Sequence, residues 1–135
     1  MKSLTVAAQK EELQTVQDFI DGILEEADCP MKIQFQIDVA VEEIFVNIAS
    51  YAYPPDCGTA QIDVTVPEEG GSATVTFRDH GVPFDPLAKE DADISAEALM
   101  ARTGGLGILM TKKMMDEVSY EFRDGMNMLT IRKNW

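Results

Sequence analysis

Residues 38–53 read DVAVEEIFVNIASYAY, and the way this run folds decides how the rest of the chain is arranged. Val39, Ala40, Val41, Ile44, Phe45, Val46, Ile48 and Ala49 suit a buried helix, yet Glu42, Glu43 and Asn47 interrupt them. On a helix, residues four apart stack one above the other, so Glu43 and Asn47 share a face. A carboxylate and a carboxamide there need polar company, because a buried polar group without a partner costs about 1–3 kcal/mol. Two arrangements supply it. One is a local hydrogen-bonded pair or a solvated edge of an amphipathic helix. The other is a wet cavity in which the Asn47 oxygen meets a hard cation and Glu43 sits near a water or hydroxyl.

On the N-terminal side, residues 2–8 read as a short strand. Residues 10–28 follow as a helix, with Leu13, Val16, Phe19, Ile20, Ile23 and Leu24 at a 3.6 period. Cys29-Pro30 ends that helix, since proline restricts the residue before it and suits the first turn of the next element. The second helix spans about 31–53 and stops at Pro54-Pro55. Beyond it the period changes to two. Ala60, Ile62, Val64 and Val66 form a half-buried strand, and PEEGGS (67–72) turns it into a returning strand with Ala73, Val75 and Phe77. Residues 80–103 lose periodicity, and a loop that long inside a compact domain tends to be functional or disordered. Helical spacing returns at 108–115, and strands at about 117–123 and 127–133 are joined by Asp124-Gly125. The order βααββ–loop–αββ predicts an α+β fold: a two-layer sandwich of helices on one face of a mixed, mostly antiparallel sheet.

The 135-residue chain is long enough for one domain, residues 1–135, with a core of its own. It carries 11 basic and 24 acidic residues, net −13. Such a balance argues against nucleic acid as the main partner. A small anion is still admissible, because backbone N–H groups and a divalent cation can hold it. No apolar run reaches membrane-span length and the N-terminus lacks a signal-peptide core, so a cytoplasmic protein is expected. The lone histidine, His80, gives little material for a His-based metal site or a Ser-His-Asp triad. Cys29 and Cys57 lack metal spacing and read as free thiols.

Two further stretches carry chemistry. Asp79 ends a strand and Gly81 follows two residues later, which puts a carboxylate at the sheet edge beside a tight turn. The group either closes the strand as an Asx-turn or accepts the exocyclic amine of a purine whose flat ring the glycine lets approach. Gly104, Gly105, Leu106 and Gly107 directly precede the helix at 108–115. Glycines at a helix N-terminus expose N–H groups to a phosphate; the alternative is a flexible hinge. Neither the P-loop nor the dinucleotide pattern is present.

In this order the three stretches resemble the N, G1 and G2 boxes of the Bergerat-fold ATPases, the superfamily of gyrase, MutL and the sensor histidine kinases. Compact length, VEEIFVN, SYAYPP and DHGVPFDP look most like the small anti-sigma-factor serine kinases of sporulation and stress response. The resemblance covers about residues 3–133. It implies that Asn47 ligates a Mg²⁺ bridging the phosphates of ATP and that Glu43 is general base for the attacking hydroxyl. Asp79 and Gly81 would hold adenine, Gly104, Gly105, Leu106 and Gly107 the phosphates, and residues 85–103 would be an ATP lid. The chain departs from the family pattern at Pro83, at Tyr51 where histidine is usual, and at Asn127 where a hydroxyl is expected near adenine. Arg102 lies one position off the usual lid arginine. The implied activity is ATP- and Mg-dependent phosphorylation of a serine on a STAS-type anti-sigma antagonist, with a sigma factor as a second partner and a homodimer as a possible assembly. The alternatives are a non-catalytic ATP-binding module and an α+β adaptor without nucleotide.

Overall fold

The computed structural model describes residues 1–53, 56–83 and 111–135. Five strands form one sheet: β1 (Lys2–Ala7), β2 (Thr59–Thr65), β3 (Ser72–Asp79), β4 (Glu117–Arg123) and β5 (Met126–Asn134). Two helices, α1 (Leu13–Glu26) and α2 (Met31–Tyr51), precede β2, and a short 3₁₀ turn over Lys10–Glu12 leads into α1. Residues 111–114 are helical just before β4. The elements agree with the α+β expectation. Every described strand pair is antiparallel, in the order β1-β2-β3-β5-β4, so the mixed sheet that the sequence allowed is not seen among the described residues.

Alternation builds one greasy face. Register rows cross the sheet as Leu4, Ile62, Phe77, Leu129, Tyr120 and as Val64, Val75, Ile131, Val118. Val16, Ile20 and Leu24 of α1 and Ile37, Ala40, Val41, Ile44 and Phe45 of α2 pack against that face and are almost wholly buried. Removing one such large side chain costs roughly 2–5 kcal/mol. The opposite face is polar, with rows such as Gln61, Arg78, Met128, Glu121. One acid is buried there: Asp63 accepts Ser3 Oγ at 2.6 Å, Gln61 Nε2 at 2.9 Å and Arg78 Nε at 2.7 Å. Burial pushes its carboxyl up, but these bonds and the Arg78 charge outweigh it and hold Asp63 below the usual range.

The chain reversals follow their residues. Asp124 and Gly125 both take positive φ (54° and 78°), the conformation that a two-residue hairpin matching strand twist requires. Asp28, at φ 56°, ends α1 with Cys29 N–H on Leu24 O at 3.0 Å, and Pro30 then opens α2. Both cysteines are free thiols, Cys29 buried and Cys57 exposed. No helix among the described residues is long and apolar enough to cross a membrane.

Candidate functional site

The polar centre of the site is a register pair. Asp79 is the last residue of β3 and lies directly opposite Asn127 of β5, on the same face as the core rows. Both are buried. Asn127 Nδ2 donates to Asp79 Oδ1 at 2.9 Å and to the carbonyls of Val82 at 2.9 Å and Gly81 at 3.4 Å. Its own Oδ1 accepts the Tyr120 hydroxyl from β4. Gly81 N–H also donates to Asp79 Oδ1, at 2.9 Å. The Asx-turn foreseen at Asp79 is therefore formed, and it occupies the same oxygen that Asn127 holds.

α2 closes the site from the helical layer. Asn47, Ile48, Tyr51 and Ala52 face a hollow whose other walls are Phe77, Asp79, Val82, Tyr120, Asn127 and Leu129, with Ile44 at its base. Asn47 and Asp79, 32 residues apart in the chain (79 − 47), thus line one cleft. Its walls are mostly apolar with a few convergent polar groups, the usual make-up of a small-molecule pocket. Two latches hold the α2 end against the end of β3. Val82 N–H bonds to Ala52 O at 2.9 Å. The Tyr53 hydroxyl accepts His80 N–H at 2.7 Å and donates to Thr59 O at 2.6 Å. Gly81 is required here because a Cβ would collide with the Ala52 carbonyl. Among the described residues, the close approach that Gly81 permits is to helix backbone.

Glu43 lies one turn before Asn47, whose Nδ2 reaches Glu43 Oε1 at 3.5 Å. The local pair is formed; Asn47 also lines the cleft, whereas Glu43 is not among its walls. Burial pushes the Glu43 carboxyl up, the Asn47 bond pulls it down and the Glu42 charge pushes it up again, leaving it above the ordinary glutamate value. The amide donation leaves Asn47 Oδ1 as a neutral oxygen ligand. Among the described residues no group of three or more His, Cys, Asp or Glu could hold a metal alone. A single neutral amide oxygen is the kind of protein ligand that a magnesium-type ion accepts when water and ligand phosphates fill its other positions.

Several sequence expectations fall elsewhere. Gly104, Gly105, Leu106, Gly107, Arg102 and the 85–103 lid lie outside the described residues. Tyr51, where the family pattern has histidine, is part of the cleft wall and 41% exposed. Tyr120 was not singled out from the sequence. The alternation of Val118, Tyr120 and Phe122 marks one face of β4, and the Asp124-Gly125 hairpin sets β4 beside β5, but nothing local tells that β5 pairs with β3 and so brings Tyr120 and Asn127 to Asp79.

The Histidine kinase-like ATPase domain family matches residues 6–133. The serine/threonine-protein kinase BtrW of Bordetella bronchiseptica is 27% identical over 100 residues, covering 74% of this chain and 70% of that protein. The serine-protein kinase RsbW of Listeria monocytogenes is 24% identical over 115 residues, covering 82% of this chain and 72% of that one. With a cleft shared by the Asn47 helix and the Asp79 strand end, and a family match that runs through nearly every element of the sheet, this chain belongs to the histidine kinase-like ATPase domain family.

Proposed function

We propose that the protein is an ATP- and Mg²⁺-dependent protein serine kinase that works as an anti-sigma-type regulatory switch, phosphorylating a serine on a STAS-type antagonist in the cytoplasm. The observation that carries this reading is the common cleft of Asn47 and Asp79, with Glu43 hydrogen-bonded beside it. The kinase names of two relatives support it. Asp79 would receive the adenine amine beside the turn that Gly81 makes, Asn47 Oδ1 would ligate the cation, and Gly104, Gly105, Leu106 and Gly107 would receive the phosphates. Magnesium, when bound, neutralises charge across the phosphates. Glu43 takes the proton of the attacking serine hydroxyl; that oxygen bonds the γ-phosphorus, the β–γ bridging bond breaks, and ADP leaves. A carboxylate made more basic by burial suits this work, because a general base acts best with a pKa nearer the working pH.

The test is incubation of the purified chain with labelled ATP and a STAS-domain protein encoded beside it. Phosphoserine is expected on that protein, and none with Glu43→Ala. Nucleotide binding without phosphoserine would leave the second reading, a module whose affinity for its partner depends on bound nucleotide. That reading draws on the engagement of the Glu43 carboxyl by Asn47.

A further inference from the structure

We infer that Asn127 and Tyr120 set which base the cleft accepts: together they fix Asp79 as a one-sided hydrogen-bond acceptor that selects a ring bearing an exocyclic amine over one bearing an oxo group. The inference rests on the nucleotide reading above and goes beyond it: the resemblance expects a hydroxyl near adenine at position 127, whereas here an amide stands there, held by Tyr120 and set against Asp79.

The argument is geometric. Both hydrogen bonds that Asp79 accepts among the described residues fall on Oδ1, from Gly81 N–H and from Asn127 Nδ2, each at 2.9 Å. The cleft is left with Oδ2. A carboxylate oxygen there accepts from an N–H₂ group and repels an oxo group, whose lone pairs would face its own. The orientation of Asn127 is settled by its neighbours. Its Nδ2 faces three acceptors, Asp79 Oδ1 and the Gly81 and Val82 carbonyls. Its Oδ1 faces the Tyr120 hydroxyl as a donor. Turning the amide over would set an oxygen against three oxygens and an N–H₂ against a donated proton. Tyr120 therefore works as a key for the amide, and the amide as a key for the acid. All three side chains line the same hollow.

Reversing the chemistry of Asn127 should reverse the selection. In Asn127→Asp two carboxyls face each other at hydrogen-bond distance, and like charges so close retain a proton between them. With that one proton on Asp79 Oδ2, the oxygen left to the cleft, the acid donates instead of accepting, so an oxo group becomes acceptable. In Tyr120→Phe the ring stays in the wall but its hydrogen bond to Asn127 Oδ1 is lost, which loosens the hold of the amide on Asp79 Oδ1.

The experiment measures, by calorimetry on the full chain, the affinities for Mg-ADP and Mg-IDP, whose bases differ at the 6-position as amino against oxo. Wild type should prefer ADP by about tenfold or more, the scale of one well-placed hydrogen bond. Asn127→Asp should reduce the ADP:IDP ratio at least about tenfold or invert it, and Tyr120→Phe should reduce it several-fold with its melting temperature little changed. A loss of packing alone would weaken both ligands equally and leave the ratio as in wild type. An unchanged ratio in Tyr120→Phe, or in a folded Asn127→Asp, overturns the inference while the nucleotide reading stands. Wild type binding neither ligand overturns both.

Discussion

Glu43 combines a partly buried carboxyl with a near acid, Glu42, that raises its pKa further. If Glu43 is the base, phosphotransfer requires it deprotonated, so the rate falls as pH drops through a value above the ordinary glutamate pKa of about 4.3. Glu42→Gln removes one cause of the upward shift and should move the acid limb of the kcat profile to lower pH. A limb that does not move would argue that another group titrates. Asn47→Ala should abolish stabilisation by Mg-ADP, whereas Glu43→Ala should keep it; thermal melts with and without nucleotide separate the two outcomes. Gly81 is equally constrained. Gly81→Ala forces a Cβ into the Ala52 carbonyl, which should cost about 1–3 kcal/mol in chemical denaturation and open the α2 end from Asp79.

The seam between α1 and α2 holds a second acidic pair. Asp38 of α2 is pushed up to about 8, first by burial and then by the hydrogen bond and charge of Asp21 on α1. Asp21 Oδ1 and Asp38 Oδ1 are buried without a conventional donor. Cys29, in the turn between the helices, is raised by burial and by Asp38. A folded-state pKa above the unfolded one means that the native state holds more protons between about pH 4 and pH 8. Stability from this pair is therefore complete below pH 4 and is lost as pH rises through about 8. The melting temperature should fall from pH 5 to pH 8 in wild type, and less in Asp38→Asn, at roughly 3–6 °C per kcal/mol for a chain of this size. Equal slopes in the two proteins would mean that the pair is not closed in solution. Asp63, held below its usual range, has the opposite sign: its contribution is present above the unfolded pKa and lost only as pH falls further. The Tyr53 latch belongs to the same level of organisation. Tyr53→Phe removes two hydrogen bonds between α2 and the ends of β2 and β3, an expected loss of about 1–3 kcal/mol in denaturation.

Taken whole, the molecule is an acidic sandwich whose helical layer and sheet meet in one cleft, and binding there should stabilise everything that meets in it. Ligand at a hundredfold over its Kd adds about 2.7 kcal/mol to folding stability, so Mg-ATP or Mg-ADP should raise the melting temperature visibly. Asp79→Asn should suppress that rise. No rise in wild type would leave the adaptor reading.

Much of this was written locally. Apolar spacing in α1 and α2, alternation in β2, β3 and β5, and the Asp124-Gly125 turn are short-range patterns, because helix and strand periods act over a few residues. The Glu43–Asn47 pair was legible for the same reason: a helix carries i and i+4 together wherever it is placed. What no local pattern contains is the insertion of β5 between β3 and β4. That order depends on burying one face of every strand at once, and it brings Asn127 opposite Asp79, while the Asp124-Gly125 hairpin sets Tyr120 beside Asn127. The chain therefore named its acid and its amide by itself, while their meeting was decided by the long-range pairing of β3 with β5, which a few residues of local pattern do not encode.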